Sequence, residues 1–189
     1  MILEGIVTTV SPQGDFHLAP MGPRVEMGIQ RFLLRPFPTS QSYQNLLAHP
    51  EGVLHVTDDV LLLARGAIGA VEELPQHRPA EKVRGFVLSD ACRAYEFRVQ
   101  SIDDSEVRVK MTCEVVNVQR FRDFFGFNRA KHAVVEAAIL ASRVHLLAPA
   151  EIASEFIKLK TIVVKTGGEQ ELQAFELLRR FVEEFPSRP

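Results

Sequence analysis

The chain has 189 residues, 46% of them hydrophobic and 24% charged, a composition typical of a globular protein with one core and room for an appendage. Its formal net charge of −2 excludes a general electrostatic attraction to nucleic acid or to an anionic membrane. Two cysteines exclude a disulfide framework, and no apolar run approaches the ~20 residues of a membrane span. The start of the chain lacks the basic and apolar regions of a signal peptide, so we expect a cytoplasmic protein with reduced thiols.

Apolar and polar residues alternate with a period of two through the first two thirds of the chain, which predicts β-strands. The β-branched stretch 4–10 ends at turn-forming residues, and 16–21 resumes an extended pattern, so a hairpin is expected at the start. Another strand is predicted for Met27–Arg35, closed by a proline-rich turn.

Shorter elements follow in the middle of the chain. They are a helix at 42–48 with Thr39, Ser40 or Ser42 as its cap, a strand at 53–56, and a helix from Asp58 or Asp59 to about Ile68. The clearest hairpin joins 94–100 to 106–118, where the face of the second strand that we expect to be buried carries Val107, Val109, Met111, Cys113 and Val115. Several strands with short connections predict an antiparallel barrel, closed or partly closed.

From Asn128 onward the apolar period changes to that of a helix. Asn128 is a plausible N-cap, Pro149 suits the first turn of a second helix, and Gly167-Gly168 ends that helix. The third helix is expected to bury one stripe, formed by Leu172, Phe175, Leu178, Phe181, Val182 and Phe185. The predicted fold class is therefore α+β, with a barrel domain at 1–126 and a C-terminal helical subdomain at 127–189 packed on it.

Signatures of protein-based catalysis are missing from the sequence. It has no nucleophile elbow, no zinc-protease motif and no P-loop, and its six histidines show no metal-ligand spacing. We therefore predict neither catalytic side chains nor a metal site.

The segment 35–45 is the strongest candidate for binding an anion. It places Arg35 at the end of a strand, shortly before a helix start that is rich in hydroxyl groups. Free N–H groups and the helix dipole favour an anion there, and Arg35 can add a charge-assisted contact to phosphate, with Thr39 and Ser42 donating from their hydroxyls. The same pattern also fits an ordinary capped helix after a proline-rich turn.

Two further segments have one structural and one functional interpretation each. Leu18–Pro23 holds small residues and two prolines, so it is either a proline-protected edge strand or a close-approach edge for a flat ring. The stretch 124–131 interleaves aromatic and basic residues, which fits single-stranded nucleic acid or a phenylalanine cluster packed at a helix start. Packing is the preferred interpretation, with Arg129 and Lys131 able to reach a bound phosphate from the same or a partner subunit.

Four motifs occur in an order that resembles a known family. They are Glu4-Gly5-Ile6-Val7-Thr8-Thr9, Ala19-Pro20-Met21-Gly22, Phe127-Asn128-Arg129-Ala130-Lys131 and Lys165-Thr166-Gly167-Gly168. The family is catalogued as domain of unknown function 447, and the resemblance runs from the start of the chain to about Phe185. It implies a split β-barrel of the type that binds flavin mononucleotide (FMN), similar to flavin reductases, and a homodimer with flavin near the subunit interface.

The resemblance also implies roles for individual residues. Ser42-Tyr43-Gln44-Asn45 matches the hydroxyl-x-x-Asn segment that holds the flavin phosphate in flavin-reductase relatives. The implied cofactor-binding set is Met21 and Gly22 beside the flavin ring, Arg35, Thr39, Ser42, Asn45 and Lys131 around the phosphate, and Thr57 and Asp58 near the ribityl chain. Where the pattern leads us to expect Asn, this chain has His17, which we expect to face solvent.

Three functions are compatible with these sequence features. The first is an FMN-dependent oxidoreductase of unknown redox substrate, in which the flavin supplies the chemistry and the protein supplies orientation. The second is a non-catalytic flavin-binding or interaction protein, and the third is a barrel that binds a deazaflavin or a pterin instead. No nucleic acid or membrane partner is expected, and the fold alone does not separate these functions.

Overall fold

The computed structural model describes residues 1–185. In chain order its elements are β1 (Gly5–Val10), β2 (Phe16–Met21), β3 (Arg24–Val25), β4 (Arg31–Leu34), α1 (Gln41–Ala48), β5 (Glu51–Val56), α2 (Val60–Ala67), β6 (His77–Pro79), β7 (Phe86–Leu88), β8 (Arg93–Asp103), β9 (Lys110–Arg120), α3 (Arg129–Ala141), α4 (Pro149–Thr166) and α5 (Glu169–Glu184). The chain divides into a barrel unit, Met1–Thr57 with Leu74–Phe124, and a helical unit, Asp58–Glu73 with the chain from Phe125 onward.

The barrel unit is a curled antiparallel half-barrel of seven strands in the order β2-β1-β5-β8-β9-β4-β3. The edge strands β2 and β3 are consecutive in the chain and are separated by Gly22 and Pro23. Gly5 lies opposite Met21, and the isolated pair Ile2–Arg24 keeps the same register. Because β3 also pairs with β4, one stretch of chain connects the two edges of the sheet.

A small second sheet, β6–β7, is attached to the barrel by side chains of β1 and β5. The Thr8 hydroxyl donates to the carbonyl of Phe86 at 2.6 Å, and the His55 ring accepts from the N–H of Leu88 at 3.1 Å. Nδ1 of His55 lies 3.1 Å from the carbonyl of Ile6, so both ring nitrogens have partners in the protein interior. Buried polar groups thus replace main-chain pairing at this junction.

The interior of the barrel unit is an apolar cluster to which most strands contribute. Its buried members are Val7, Val25, Phe32, Leu34, Leu46, Leu54, Tyr95, Phe97, Val109, Met111 and Cys113. Leu46 comes from α1, so this short helix packs its apolar side on the barrel core. Burial of this apolar surface is the main favourable term that fixes α1 in place.

The helical unit combines α2 with the three C-terminal helices. Asp59 caps α2 by accepting from the N–H of Leu62, and Asn128 caps α3 by accepting from the N–H of Lys131. The core is rich in small side chains from α3, with Val60, Leu63, Ile152, Phe156, Phe175 and Leu178 from the other helices. None of the helices within residues 1–185 has the length and apolar character needed to cross a bilayer.

The predicted fold class is confirmed, and most predicted elements are present. The predicted strand Met27–Arg35 is observed only as Arg31–Leu34, because Gly28 and Ile29 adopt positive φ in a turn. Val107 was predicted to be buried but is 83% exposed, since β9 begins only at Lys110. Leu172 is also exposed, because it lies beside the buried stripe of α5 rather than on it.

The domain boundary between residues 126 and 127 stays a prediction. The two compact units of the structure have other boundaries. Val60, Leu63 and Ala64 of α2 belong to the core of the helical unit, so 58–73 groups with the helices rather than with the barrel. The sequence places this segment between strands, which is why chain order assigned it to the barrel. Residues 186–189 of the predicted helical subdomain lie outside the described residues.

Candidate functional site

The start of α1 lies against the β1–β2 hairpin through two side chains of the Ser42-x-x-Asn45 segment. Residues three apart share a helix face, and both side chains are buried. Asn45 Nδ2 donates to the Thr9 hydroxyl at 3.0 Å, and Ser42 Oγ lies 3.1 Å from Nε2 of His17. Thr9 and His17 are directly opposite each other in the hairpin, so this segment contacts both members of one cross-strand pair.

Unused hydrogen-bond donors remain at the first turn of α1. The cap is Ser40, whose hydroxyl accepts from the N–H of Tyr43 and whose carbonyl accepts from the N–H of Gln44. Among residues 1–185, the N–H groups of Gln41 and Ser42 have no hydrogen-bond acceptor. Thr39 is exposed one residue before the cap. This arrangement suits an anion, because free N–H groups and the helix dipole act together.

Arg35 follows β4 directly, as the sequence predicted, but it has a partner that the sequence did not reveal. One of its terminal nitrogens lies 3.3 Å from Glu106, which also pairs with Lys110. The Arg35 side chain is 28% exposed, and its buried Nε has no acceptor in the described part of the chain. A partly exposed ion pair contributes little, so a phosphate could replace Glu106 at small cost.

Met21 and Gly22 lie at the opposite end of the hairpin, and Thr57 lies at the same level on the other side of β1. The register that pairs Gly5 with Met21 places Glu4 opposite Gly22. The pairing of Ile6 with His55 brings the end of β5, and hence Thr57, to the same level. A Cβ atom on Gly22 would lie 2.8 Å from Ile2 Cγ2, so the neighbouring chain approaches this backbone closely. The side chains of Ile2 and Glu4 therefore fill the space on the Cβ side of Gly22, and its predicted contact with a flat ring stays a prediction.

Asp58 and Lys131 belong to the helical unit, where both have protein partners. The Asp58 carboxylate accepts from the N–H of Phe125 at 2.8 Å. The Lys131 ammonium donates to the Asp58 carbonyl, Gln170 Oε1 and Glu171 Oε1 at 2.8, 3.1 and 2.7 Å. Burial acts to raise the pKa of Glu171, but hydrogen bonds from Lys131 and Gly168 outweigh it and hold the pKa below its usual value. All three N–H bonds of Lys131 are thus in use, and its predicted phosphate contact stays a prediction.

The aromatic and basic stretch 124–131 does not form the expected packed cluster. Phe125 and Phe127 are 73% and 97% exposed. Gly126 between them has a φ of 110°, a conformation that turns the chain and favours glycine. Lys131 Nζ lies 5.8 Å from the centre of the Phe125 ring, at the outer limit of a cation–π contact.

An open groove of about 1000 Å³ follows the side of the barrel unit where β9 extends beyond β4. It is lined by residues 26–31 and 114–118, and none of the nine predicted cofactor-binding residues is among them. Within residues 1–185, no three His, Cys, Asp or Glu side chains are arranged to hold a metal ion. The candidate site is therefore identified by its unused donors and not by the size of a cavity.

Two residues of this region were missed or misjudged in the sequence. His17 was expected to face solvent, but it is half-buried with Nε2 against Ser42, so that expectation is wrong. Glu106 was not singled out, because it lies 71 residues from Arg35 in the chain. Register counting within the predicted hairpin would have placed Thr9 opposite His17, but no local pattern connects either residue to α1.

Comparisons with known proteins support the fold and identify the family. The model of the N-terminal domain of DUF447, a protein of unknown function, matches residues 3–122, and the model of its C-terminal part matches 128–180. No curated protein matches the chain.

Among solved structures, the chain is similar to an FMN-bound DUF447 protein from Methanosarcina mazei, with 20% identity, 95% of this chain and 94% of that chain covered, and a TM-score of 0.80. It is also similar to the styrene monooxygenase flavin reductase from Pseudomonas putida S12, with 10% identity, 64% and 82% covered, and a TM-score of 0.56. An FMN-binding protein from Thermus thermophilus follows at 14% identity, 62% and 71% covered, and a TM-score of 0.54.

These structural likenesses all lie below 25% identity, so they bear on the fold and not on the ligand of this chain. The family models, by contrast, match both the barrel strands and the C-terminal helices of the sequence. This chain belongs to the DUF447 family and has the flavin reductase-like split-barrel fold.

Proposed function

We propose that this protein binds FMN on its barrel unit and uses it in an oxidoreductase reaction on a small redox substrate. The observation that carries the proposal is the match to an FMN-bound member of the same family over 95% of this chain. Neighbours with lower TM-scores are described as flavin reductases or as FMN-binding proteins. These descriptions support the proposals that this chain binds a flavin and that it acts as an oxidoreductase.

The barrel unit carries groups that suit the phosphate of FMN. The start of α1 offers the unused N–H groups of Gln41 and Ser42, with the exposed Thr39 beside them. Within residues 1–185, Arg35 has a buried Nε without an acceptor and a guanidinium held by the partly exposed Glu106. Free donors and a positive charge are what a phosphate dianion requires, so these residues fit the group.

The flavin ring is assigned to the other end of the β1–β2 hairpin, beside Met21 and Gly22. The pair Gly5–Met21 lies four residues along the strand from the pair Thr9–His17, which corresponds to about 13 Å. The ribityl chain of FMN bridges its ring and its phosphate, and we assign Thr57 to it. Gly22 carries no side chain of its own, while Ile2 and Glu4 occupy the space where its Cβ would lie.

The remaining members of the predicted set have weaker support. Asn45 is buried and bonded to Thr9 and Gln41, so we assign it to holding α1 on the hairpin. Asp58 and Lys131 belong to the helical unit and remain proposed ligands. Bound FMN would supply the redox chemistry, and this chain would bind and orient it in a homodimer in the cytoplasm.

The first experiment is to purify the protein, record its absorbance between 350 and 500 nm as is usual for flavins, and titrate stripped protein with FMN. A Kd in the micromolar range or tighter, with weaker binding of riboflavin, is the expected result. Absence of FMN binding at micromolar concentration would contradict the proposed function. Deazaflavin and pterin titrations in parallel identify the ligand if the barrel has been adapted to one of them.

The oxidoreductase activity needs a separate test. Holoprotein is mixed with NADH or NADPH under anaerobic conditions, and bleaching of the flavin absorbance is followed. Reduction by either nicotinamide supports a reductase of the kind found among the structural neighbours. A flavin that binds tightly but is not reduced by a panel of donors would instead favour the non-catalytic flavin-binding protein.

A further inference from the structure

The hydroxyl group of Ser42 is covered in this structure. Ser42 is 1% exposed, and its Oγ lies 3.1 Å from Nε2 of His17. His17 itself is half-buried, so it keeps some exposure to solvent. At the start of α1, His17 is therefore more accessible to a ligand than the covered side chain of Ser42.

The contact with Ser42 is compatible with two hydrogen placements on the His17 ring, because Nε2 either accepts from or donates to the Ser42 hydroxyl. The Ser42 hydroxyl has one hydrogen to donate, and when it donates to Nε2 a neutral ring must carry its own hydrogen on Nδ1. Among residues 1–185, Nδ1 of His17 makes no hydrogen bond. In the first placement Nδ1 is an N–H donor without an acceptor among residues 1–185, on a ring that contacts the helix whose first N–H groups, those of Gln41 and Ser42, also lack one.

We infer that His17 donates a hydrogen bond from Nδ1 to the phosphate of FMN, and that Ser42 is the positioning residue that orients the imidazole. The inference rests on the proposed FMN binding and reassigns one contact within it. It replaces the direct contact of Ser42 with phosphate that the family resemblance implies. Burial lowers the pKa of His17, which keeps the ring neutral near pH 7 and makes the tautomer decisive.

A second histidine in the barrel unit differs from His17 because both of its ring nitrogens have partners within the protein. His55 has Nδ1 at the Ile6 carbonyl and Nε2 at the N–H of Leu88, so neither nitrogen is available to a ligand. Both rings are held by their Nε2 contact, but only His17 leaves its other nitrogen open. The difference assigns a structural role to His55 and a ligand-binding role to His17.

Two conservative substitutions test the contact because they keep different nitrogens of the ring. The Nδ2 atom of Asn can take the place of His Nδ1, whereas the Nε2 atom of Gln can take the place of His Nε2. We expect His17→Asn to retain most of the preference for FMN over riboflavin. We expect His17→Gln and His17→Phe to weaken FMN by roughly 10-fold or more while the Kd of riboflavin stays unchanged.

A spectroscopic measurement tests the positioning role of Ser42 independently of flavin. In ¹⁵N spectra of the histidine rings, wild-type His17 should show a protonated Nδ1 and an unprotonated Nε2 at pH 7. In Ser42→Ala the ring should move toward a mixture of tautomers. A wild-type ring protonated on Nε2 would overturn the inference even if a variant failed to fold.

The outcomes separate this inference from the proposed function. If wild-type protein binds neither FMN nor riboflavin, the proposed function fails. If wild-type protein binds FMN and His17→Gln keeps the wild-type ratio of FMN to riboflavin affinity, only the role of His17 is overturned. Loss of the FMN preference in His17→Gln with its retention in His17→Asn supports the contact.

Discussion

The start of α1 and the surroundings of Lys131 are both rich in hydrogen-bond donors, but they differ in how those donors are used. At α1, two backbone N–H groups and one nitrogen of His17 have no acceptor among residues 1–185. At Lys131, three acceptors receive the three N–H bonds of one ammonium group. The sequence predicted a phosphate contact in both regions. Only the first region has donors to give without first breaking a bond.

The difference separates donors that the folded chain already uses from donors that it leaves open. Lys131 connects the N-terminal turns of α3 and α5 to the chain before α2, and its partner Glu171 also accepts from the N–H of Gly168. Such a group holds elements of one unit together. A ligand-binding group is recognised instead by a donor that the folded chain leaves open.

The largest expected effect is a loss of stability on removing Lys131. Lys131→Met leaves the buried Glu171 carboxylate without its cation, and we expect the free energy of unfolding to fall by about 2–4 kcal/mol. Urea denaturation of the apoprotein measures it. The FMN-to-riboflavin affinity ratio of the same variant tests the proposed ligand role: a fall in the ratio supports a phosphate contact of Lys131, and an unchanged ratio leaves it with its partners in the helical unit alone.

The double variant Lys131→Met with Glu171→Gln is the matched control. Gln keeps an acceptor for the N–H of Gly168 but carries no charge that needs a partner. Part of the lost stability should therefore return. A double variant as unstable as the sum of the two single variants would mean that the pair is not coupled.

The second expected effect is a pH dependence that comes from His55. Burial lowers its pKa from 6.5 to about 4, with the Ile6 hydrogen bond acting in the opposite direction. Because the unfolded chain protonates near pH 6.5, the stabilisation is complete above that pH and is lost as the pH falls toward 4. The total loss is about 3 kcal/mol. Denaturation midpoints between pH 4 and 7 should show this slope, and His55→Gln should flatten it.

The third effect concerns the open donors and is specific for phosphate. Arg35→Ala should weaken FMN binding by about 1.5–3 kcal/mol, or roughly 10- to 150-fold, and leave riboflavin binding nearly unaffected. Arg35→Lys is the control, since it keeps the charge but not the forked geometry, and it should give an intermediate loss. Equal losses for both flavins would mean that Arg35 does not bind the phosphate.

The smallest expected effect has the opposite sign. Glu106 holds Arg35 at 3.3 Å in this structure, so a phosphate has to compete with its carboxylate. Glu106→Gln should tighten FMN by less than about 1 kcal/mol, which is a few-fold, with no change for riboflavin. Isothermal titration calorimetry with FMN and with riboflavin measures the two changes in affinity. Weaker FMN binding in this variant would show that Glu106 positions Arg35 instead of competing for it.

Much of the fold could be predicted from the sequence, because apolar residues recur with different periods in strands and in helices. The first hairpin, the caps Asp59 and Asn128 and the first-turn Pro149 are all observed as predicted. Ends of elements were less predictable, as at Val107, where alternation continued past the end of the strand. The grouping of α2 with the C-terminal helices depends on contacts between distant segments, which no local pattern contains.

The candidate site was predicted in part, and the missing part is long-range. Arg35 and the start of α1 were found because strand ends and helix caps have local signals. The partners that decide their use, Glu106 for Arg35 and His17 for Ser42, lie 71 and 25 residues away in the chain. Composition and spacing suggest which groups could bind. The folded neighbours determine which of them are still available.

The connection of β2 and β3 through Gly22 and Pro23 has a consequence for how the protein folds. The β1–β2 hairpin closes over a short turn, whereas pairing β4 with β9 closes a loop of roughly 80 residues, and long loops close more slowly. We therefore expect the contact of His17 with Ser42, on one side of the proposed phosphate site, to form early. We expect Arg35, which directly follows β4, to reach its place only when β4 pairs with β9, so that the proposed site is completed late in folding.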